Sequence, residues 1–212
     1  MDSLDASAFL NAMGEGASSK SERTPLPGFG GWLFINGKIN RHVADAVTNE
    51  DAKLSDVDIG SHVGQQIWEA LAVLLALELF VAECTQRRMS LQVRGDNVGA
   101  LVLLIKMCPR SPQLAIIARE MAVCLSNASF PPRVVHTPGP AHKVADLLSR
   151  MHQHAAVGNA ASEHPALRES VCDTSPKRDS SFLRTMSACT EIGSLGVAPC
   201  TLDELIVSKV SV

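Results

Sequence analysis

The chain has 212 residues, of which 46% are hydrophobic, with 6 Phe, 2 Trp and no Tyr. This length suits one ordinary domain with a tail, and the apolar content is enough for a buried core. The formal net charge of −3 excludes a uniformly basic protein. The charge is uneven, however: residues 1–84 carry 5 Lys or Arg against 12 Asp or Glu, whereas residues 85–152 carry 9 against 3. A basic segment of this kind favours a polyanionic partner, although a simple dipolar surface would show the same numbers.

The cysteines and the apolar runs exclude further classes. The six cysteines have no C-x-x-C spacing, which indicates reduced structural thiols rather than a disulfide framework or a zinc site. No N-terminal signal peptide is evident. The longest apolar run, about residues 67–83, is interrupted by Glu69 and Glu78, so it is predicted to be a buried helix and not a membrane span. Together these features predict an intracellular protein, cytoplasmic or nuclear.

The N-terminal part of the chain is predicted to form a strand followed by a hairpin. An apolar strand at 30–36 ends in Asn36-Gly37, the residue pair that most strongly indicates a hairpin turn, so residues 38–47 are predicted to return beside it. A preceding strand is predicted at about 7–13. The acidic stretch 49–60 is predicted to be a loop.

The rest of the domain alternates helices and strands. Ser111-Pro112 is a typical helix start, with Ser as N-cap and Pro at the first helical position. This order predicts a mixed five-stranded sheet flanked by helices within a domain at 1–154. The Ser-, Ala- and Thr-rich residues 155–212 are predicted to form a low-order, largely disordered tail. The further predicted elements are helices at 61–83, 97–107, 112–127 and 141–151, and strands at 90–94 and 133–136.

Three carboxylates stand in or beside these apolar elements. Glu69 lies within the long apolar helix, Asp96 follows a strand and opens a helix, and Asp146 lies in the last helix. Because burying a lone carboxylate is costly, three of them in such positions suggest a shared cation. Each alone also has an ordinary explanation: Glu69 as the solvent face of its helix, Asp96 as an N-cap, and Asp146 as a favourable charge near a helix N-terminus.

The sequence motifs around these carboxylates resemble a known family. Asp96-Asn97-Val98-Gly99-Ala100-Leu101 follows a strand, and His136-Thr137-Pro138-Gly139 precedes Val144-Ala145-Asp146-Leu147-Leu148-Ser149-Arg150 near the domain end. With Trp68-Glu69-Ala70-Leu71 and Gly30-Gly31-Trp32, these stretches resemble the RNase H domain of reverse transcriptase polyproteins from gypsy-type and related retrotransposons. The resemblance spans roughly residues 8–152.

The resemblance implies a ribonuclease H-like fold whose site cuts the RNA strand of RNA–DNA hybrids. In that family four acidic residues hold two divalent ions, Mg²⁺ or Mn²⁺. Carried over by motif, Glu69, Asp96 and Asp146 are catalytic residues and three of the four metal ligands. The fourth position falls on Asn11, which is neutral and offers a single oxygen. Asp5 is a rival for this position, although almost no strand would precede it.

Three functions follow as expectations. The first is a retroelement-derived RNase H-like domain that is catalytically impaired and binds nucleic acid, with retention of divalent metal left open. The alternative is an active two-metal endonuclease that cuts RNA in RNA–DNA hybrids. The third is a non-catalytic structural or interaction domain. The resemblance also implies an origin in a larger polyprotein with a polymerase domain.

Overall fold

The computed structural model describes residues 5–13, 28–59, 61–128, 131–138, 143–151 and 164–173, and for residues 5–13, 54, 62 and 63 it describes the backbone alone. These segments contain the strands β1 (Asp5–Met13), β2 (Gly28–Ile35), β3 (Lys38–Ala46), β4 (Ser90–Gly95), β5 (Arg133–His136) and β6 (Val171–Asp173). They also contain the helices α1 (Asn49–Ser55), α2 (His62–Gln86), α3 (Val98–Lys106), α4 (Pro112–Ser126) and α5 (Lys143–Ser149).

The strands form one mixed sheet in the order β5-β4-β1-β2-β3-β6. The β1–β2 and β2–β3 pairs are antiparallel, whereas β4 and β5 extend the sheet on one side in parallel. The mixed α/β sheet predicted from the sequence is therefore confirmed, with one strand more than expected. The additional strand, β6, pairs in parallel with β3 and comes from the segment predicted as a tail. Apart from residues 164–173, the predicted tail lies outside the described residues, and the domain boundary at residue 154 stays a prediction.

The acidic stretch after β3 is a helix, so the prediction of a loop there was wrong. Thr48 and Asp51 form a reciprocal cap: the Asp51 amide donates to the Thr48 hydroxyl (3.2 Å), and the Thr48 amide donates to the Asp51 carboxylate (2.7 Å). Acidic residues in the first turn also interact favourably with the helix dipole. The acidic composition therefore marks a helix start and not an irregular segment.

Helices cover both faces of the sheet. On one face α2 packs against the strands and α4 packs against α2, and the large side chains Leu71, Leu74 and Phe80 are fully buried there. On the other face α5 packs against β1, β2 and β3. None of the described helices combines the length and the apolar character that crossing a bilayer requires.

Close approach of α5 to the sheet depends on two glycines of β2. A Cβ atom at Gly28 would lie 1.9 Å from the carbonyl oxygen of Ser149, and one at Gly30 would lie 2.5 Å from that of Ala145. Both distances are far below van der Waals contact. Only residues without a side chain allow the α5 backbone to rest directly on β2.

Four described cysteines carry free thiols and differ in burial. Burial raises the pKa of Cys84 to about 11, whereas Cys108 is exposed. Since the thiolate is the reactive form, we expect iodoacetamide at neutral pH to label Cys108 at least about tenfold faster than Cys84 in the native chain. Mass spectrometry of peptides measures both rates, and the denatured chain, in which both should react alike, is the control. Rapid native labelling of Cys84 would contradict its burial.

Candidate functional site

The backbone brings the first-strand motif position beside Asp96. Leu10 pairs with Gly95 in the parallel β1–β4 ladder. Asn11 and Asp96 each follow directly after one member of this pair, so their backbone positions are adjacent. In the antiparallel ladder Asn11 lies opposite Gly30, the residue on which α5 rests. The positions of Asn11, Asp96 and the helix that carries Asp146 therefore meet at one end of the central strands.

The rival for the first position, Asp5, lies at the opposite end of β1. It pairs with Ser90, the first residue of β4. Asn11 lies six residue steps further along the extended strand, which corresponds to about 20 Å. Asp5 is therefore too far along the strand to complete a site with Asp96.

Asp96 is not the N-cap of α3, so its ordinary explanation was wrong. The cap is Asn97, whose side chain accepts a hydrogen bond from the Ala100 amide at 3.0 Å. Asp96 is half-buried, and its Oδ1 is buried with no hydrogen-bond partner in the described part of the chain. Buried carboxylate oxygens are rarely left unsatisfied, so this atom is available to a cation or to a donor from a ligand.

Glu69 is also not on a solvent face. It is only 6% exposed, within the apolar middle of α2. Gln66, one turn earlier, lies against the start of α3, with its amide nitrogen 2.9 Å from the position of a Cβ at Gly99. Residues three apart share a helix face. The face of α2 that carries Glu69 therefore looks towards the junction of β4 and α3, where Asp96 lies.

Asp146 is more exposed than Glu69. Its side chain is 38% exposed and forms an ion pair with Arg150, with Oδ1 3.0 Å from Nε. An exposed pair at this spacing contributes only about 0.3–0.5 kcal/mol to stability. Its consequence for the site is electrostatic, because the arginine partly neutralises the carboxylate.

The structure does not assemble these carboxylates into a metal site. Across the ranges that it describes, no group of three or more His, Cys, Asp or Glu side chains is arranged to hold a metal ion. Two-metal phosphodiester chemistry needs several carboxylates close enough to share the cations. With a neutral residue at position 11 as well, the donor set does not fit a two-metal centre. The assignment of Glu69, Asp96 and Asp146 as catalytic metal ligands stays a prediction.

Beside this end of the sheet lies a basic surface that the sequence analysis did not identify residue by residue. In β4, Leu91 and Val93 face the core, so the alternate residues Gln92 and Arg94 lie on the opposite face. The Arg94 Nε donates to the Gln92 Oε1 at 2.7 Å. Arg133 of β5 is exposed and is paired with Gln92 in the parallel ladder. We call Gln92, Arg94 and Arg133 the basic face.

The basic face lies on the same side of the sheet as α5. That helix packs on β1, β2 and β3, and it brings the exposed Lys143, together with the half-buried Arg150 directly after the helix, to the same side of the sheet. Strand alternation around Arg94 was the available signal in the sequence. This signal alone could not identify the basic face, because the pairing of Gln92 with Arg133 depends on the register of two strands that lie far apart in the sequence.

Three solved structures share this architecture. The chain is similar to RNase H1 from the halophilic archaeon Halobacterium salinarum NRC-1, at 17% identity and a TM-score of 0.51, covering 70% of this chain and 96% of that chain. It is similar to LC11-RNase H1, isolated from compost and solved in complex with an RNA/DNA hybrid, at 14% identity and a TM-score of 0.52, covering 72% and 99%.

The third is the N-terminal RNase H domain of a Mycobacterium tuberculosis protein, solved as a fusion with maltose binding protein. Identity is 13% and the TM-score is 0.53, with coverage of 75% of this chain and 99% of that chain. No protein-family model and no curated protein matches the sequence. Likeness at these identities shows the fold alone. The chain therefore has the ribonuclease H-like fold that its motifs predicted.

Proposed function

We propose that the chain is a retroelement-derived RNase H-like domain that binds RNA–DNA hybrids and is impaired in cleaving them. The observation that carries the proposal is the basic face, which lies beside the end of the sheet where the first-strand motif position holds the neutral residue Asn11. The fold supports this proposal, and one structure with the same fold contains an RNA/DNA hybrid. The motif at 136–150 supports the retrotransposon origin and a former place in a larger polyprotein.

Hybrid binding follows from the chemistry of the basic face. Arg94 and Arg133 carry planar guanidinium groups, which match phosphate oxygens with paired donors and stay charged at all relevant pH values. Lys143 is exposed on the neighbouring helix and adds a third cation. Neutralisation of backbone phosphates by such groups releases counterions, so binding weakens as salt rises.

Impaired cleavage follows from the donor set. An asparagine at position 11 removes one negative charge from the place where two cations would have to be bridged. Among the described residues, no three His, Cys, Asp or Glu side chains are arranged to hold a metal ion. The alternative, an active endonuclease, is favoured by one observation: Asp96 keeps a buried oxygen with no described partner beside the face of α2 that carries Glu69.

Fluorescence anisotropy with a labelled RNA–DNA hybrid tests the binding proposal. In the presence of EDTA and at several salt concentrations, we expect the binding constant to fall steeply with salt. The Arg94→Gln/Arg133→Gln variant should bind at least about tenfold more weakly, with a salt slope smaller by about 2, because each lost phosphate contact lowers the slope by about 1.

The matched control is Arg119→Gln. Arg119 is exposed on α4, which packs on α2 on the other side of the sheet, and its side chain pairs with its neighbour Glu120 at 2.9 Å. This substitution removes the same charge and should leave binding unchanged. An equal loss in both variants, or no salt-dependent binding by the parent, would reject the basic face as the interface.

A further inference from the structure

The segment at 164–173 returns to the sheet after α5 and forms β6. It pairs with β3 through the register Arg41–Val171, His42–Cys172 and Val43–Asp173. A parallel edge strand of three residues has few ladder hydrogen bonds and is weak by itself. Side-chain contacts must therefore hold this segment in place.

The first such contact is an ion pair at the end of β6. Arg41 donates from Nε to the Asp173 Oδ1 at 3.1 Å, and from Nη2 to the same oxygen. Its Nη1 lies 3.3 Å from a carboxylate oxygen of Glu83 on α2. The Asp173 side chain is only 8% exposed, so the pair is shielded from solvent. Arg41, which lies in β3, thus connects β6 to both β3 and α2.

The second contact fixes the turn before β6. The His42 Nδ1 lies 2.7 Å from the Ser170 Oγ, and the Ser170 hydroxyl is 2.7 Å from the carbonyl oxygen of Leu167. A hydroxyl has one proton, which it donates to that carbonyl, so His42 donates from Nδ1 to Ser170. His42 is buried, and burial lowers its pKa. Burial therefore favours the neutral imidazole, and this contact places the proton of that neutral ring on Nδ1.

The third contact joins the segment to α5. Leu167 is 6% exposed and forms a small apolar cluster with Ile39 of β3 and Leu148 of α5, while Trp32 and Val144 pack at its margin. Leu148 is fully buried. Leu167 therefore joins the segment to both β3 and α5 through apolar packing.

We propose that residues 164–173 are a strap that positions α5, and with it Asp146 and Arg150, on the sheet. α5 has seven residues, and a helix of this length is not stable alone in water. Within the described residues it is supported by β1, β2 and β3, with the closest approach at two glycines of β2, and by the strap. The effect of the strap on hybrid binding rests on the proposed function; its effect on α5 does not.

Amide hydrogen exchange on the full chain tests the strap. In Leu167→Ala, which empties part of the apolar cluster, we expect α5 and β3 amides to exchange at least about tenfold faster, with α4 amides unchanged. Asp173→Asn removes the charge of the ion pair with little change in shape, and should accelerate the same amides more weakly. Val171→Thr is the matched control, because Val171 is 58% exposed in the same strand; it should change nothing.

The results distinguish a failure of the strap from a failure of the proposed function. Faster exchange in β3 with α5 unchanged would overturn the strap, and so would unchanged exchange in Leu167→Ala. If Leu167→Ala unfolds the whole domain, Asp173→Asn decides by the same comparison of α5 with α4. Hybrid binding by Leu167→Ala and by Asp173→Asn should fall by several-fold, whereas Val171→Thr should bind like the parent. If the parent binds no hybrid, the proposed function fails, while the exchange data still judge the strap.

Discussion

A labelled RNA–DNA hybrid is expected to stay uncut when it is incubated with this chain in Mg²⁺ or Mn²⁺. The physical reason is the neutral side chain of Asn11 at the first-strand motif position. In addition, no three His, Cys, Asp or Glu side chains of the described residues are arranged to hold a metal ion. A gel assay over long incubation measures this, with Asp96→Asn as a control for contaminating nuclease. Cleavage by the parent that disappears in Asp96→Asn would establish an active endonuclease and overturn the proposed impairment.

Asn11→Asp is the informative variant in the same assay. It adds a carboxylate opposite Gly30 and beside Asp96 without changing the side-chain size. Since divalent-cation affinity rises with the number of charged ligands, we expect Mg²⁺ or Mn²⁺ to bind at least about tenfold more tightly than to the parent. Isothermal titration measures the affinity, and the Asn11→Asp/Asp96→Asn double variant should return to the parent value.

Replacing Gly30 by alanine is expected to destabilise the domain by about 3 kcal/mol, because the new methyl group meets backbone that cannot rotate away. Its Cβ would lie 2.4 Å from the Ser149 nitrogen and 2.5 Å from the Ala145 oxygen. A thermal melt should fall by about 10 °C.

Gly99→Ala is the control for that melt. There the new Cβ would meet two side-chain atoms and no backbone: the Gln66 amide nitrogen at 2.9 Å, the far end of a flexible side chain, and the Asn97 Oδ1 at 3.1 Å, where a shift of a few tenths of an ångström relieves the contact. We expect this variant to melt close to the parent. An unchanged melt for Gly30→Ala would show that α5 does not rest on β2.

Local chemistry predicted those elements whose signals lie within a few residues. The hairpin at Asn36-Gly37 and the start of α4 after Ser111 depend on turn and cap residues that are adjacent in sequence. The helix α1 was missed because its capping pair, Thr48 and Asp51, lies in a polar stretch that was interpreted only by its composition. β6 was missed for a different reason: its supports, Arg41 and His42, lie about 130 residues earlier in the chain.

For the candidate site too, features set by residues close in sequence could be predicted, whereas features set by residues far apart in sequence could not. The sequence predicted which elements carry Glu69, Asp96 and Asp146, but the distances between the three depend on helix packing and sheet register. The pairing of Asp146 with Arg150 was accessible, since residues four apart meet on a helix. The alignment of Arg94 and Arg133 on one face was not accessible, because it requires the register of two strands far apart in sequence.

The position of β6 also bears on how the protein behaves at high concentration. β3 has nine residues, and its outer edge would offer unpaired amide and carbonyl groups to any other chain if β6 were absent. β6 covers part of that edge with three residues, a length too short to template another strand well, and it ends in a charged residue. Chains shortened before residue 164 would therefore expose an aggregation-prone edge, and self-association would accompany any loss of stability.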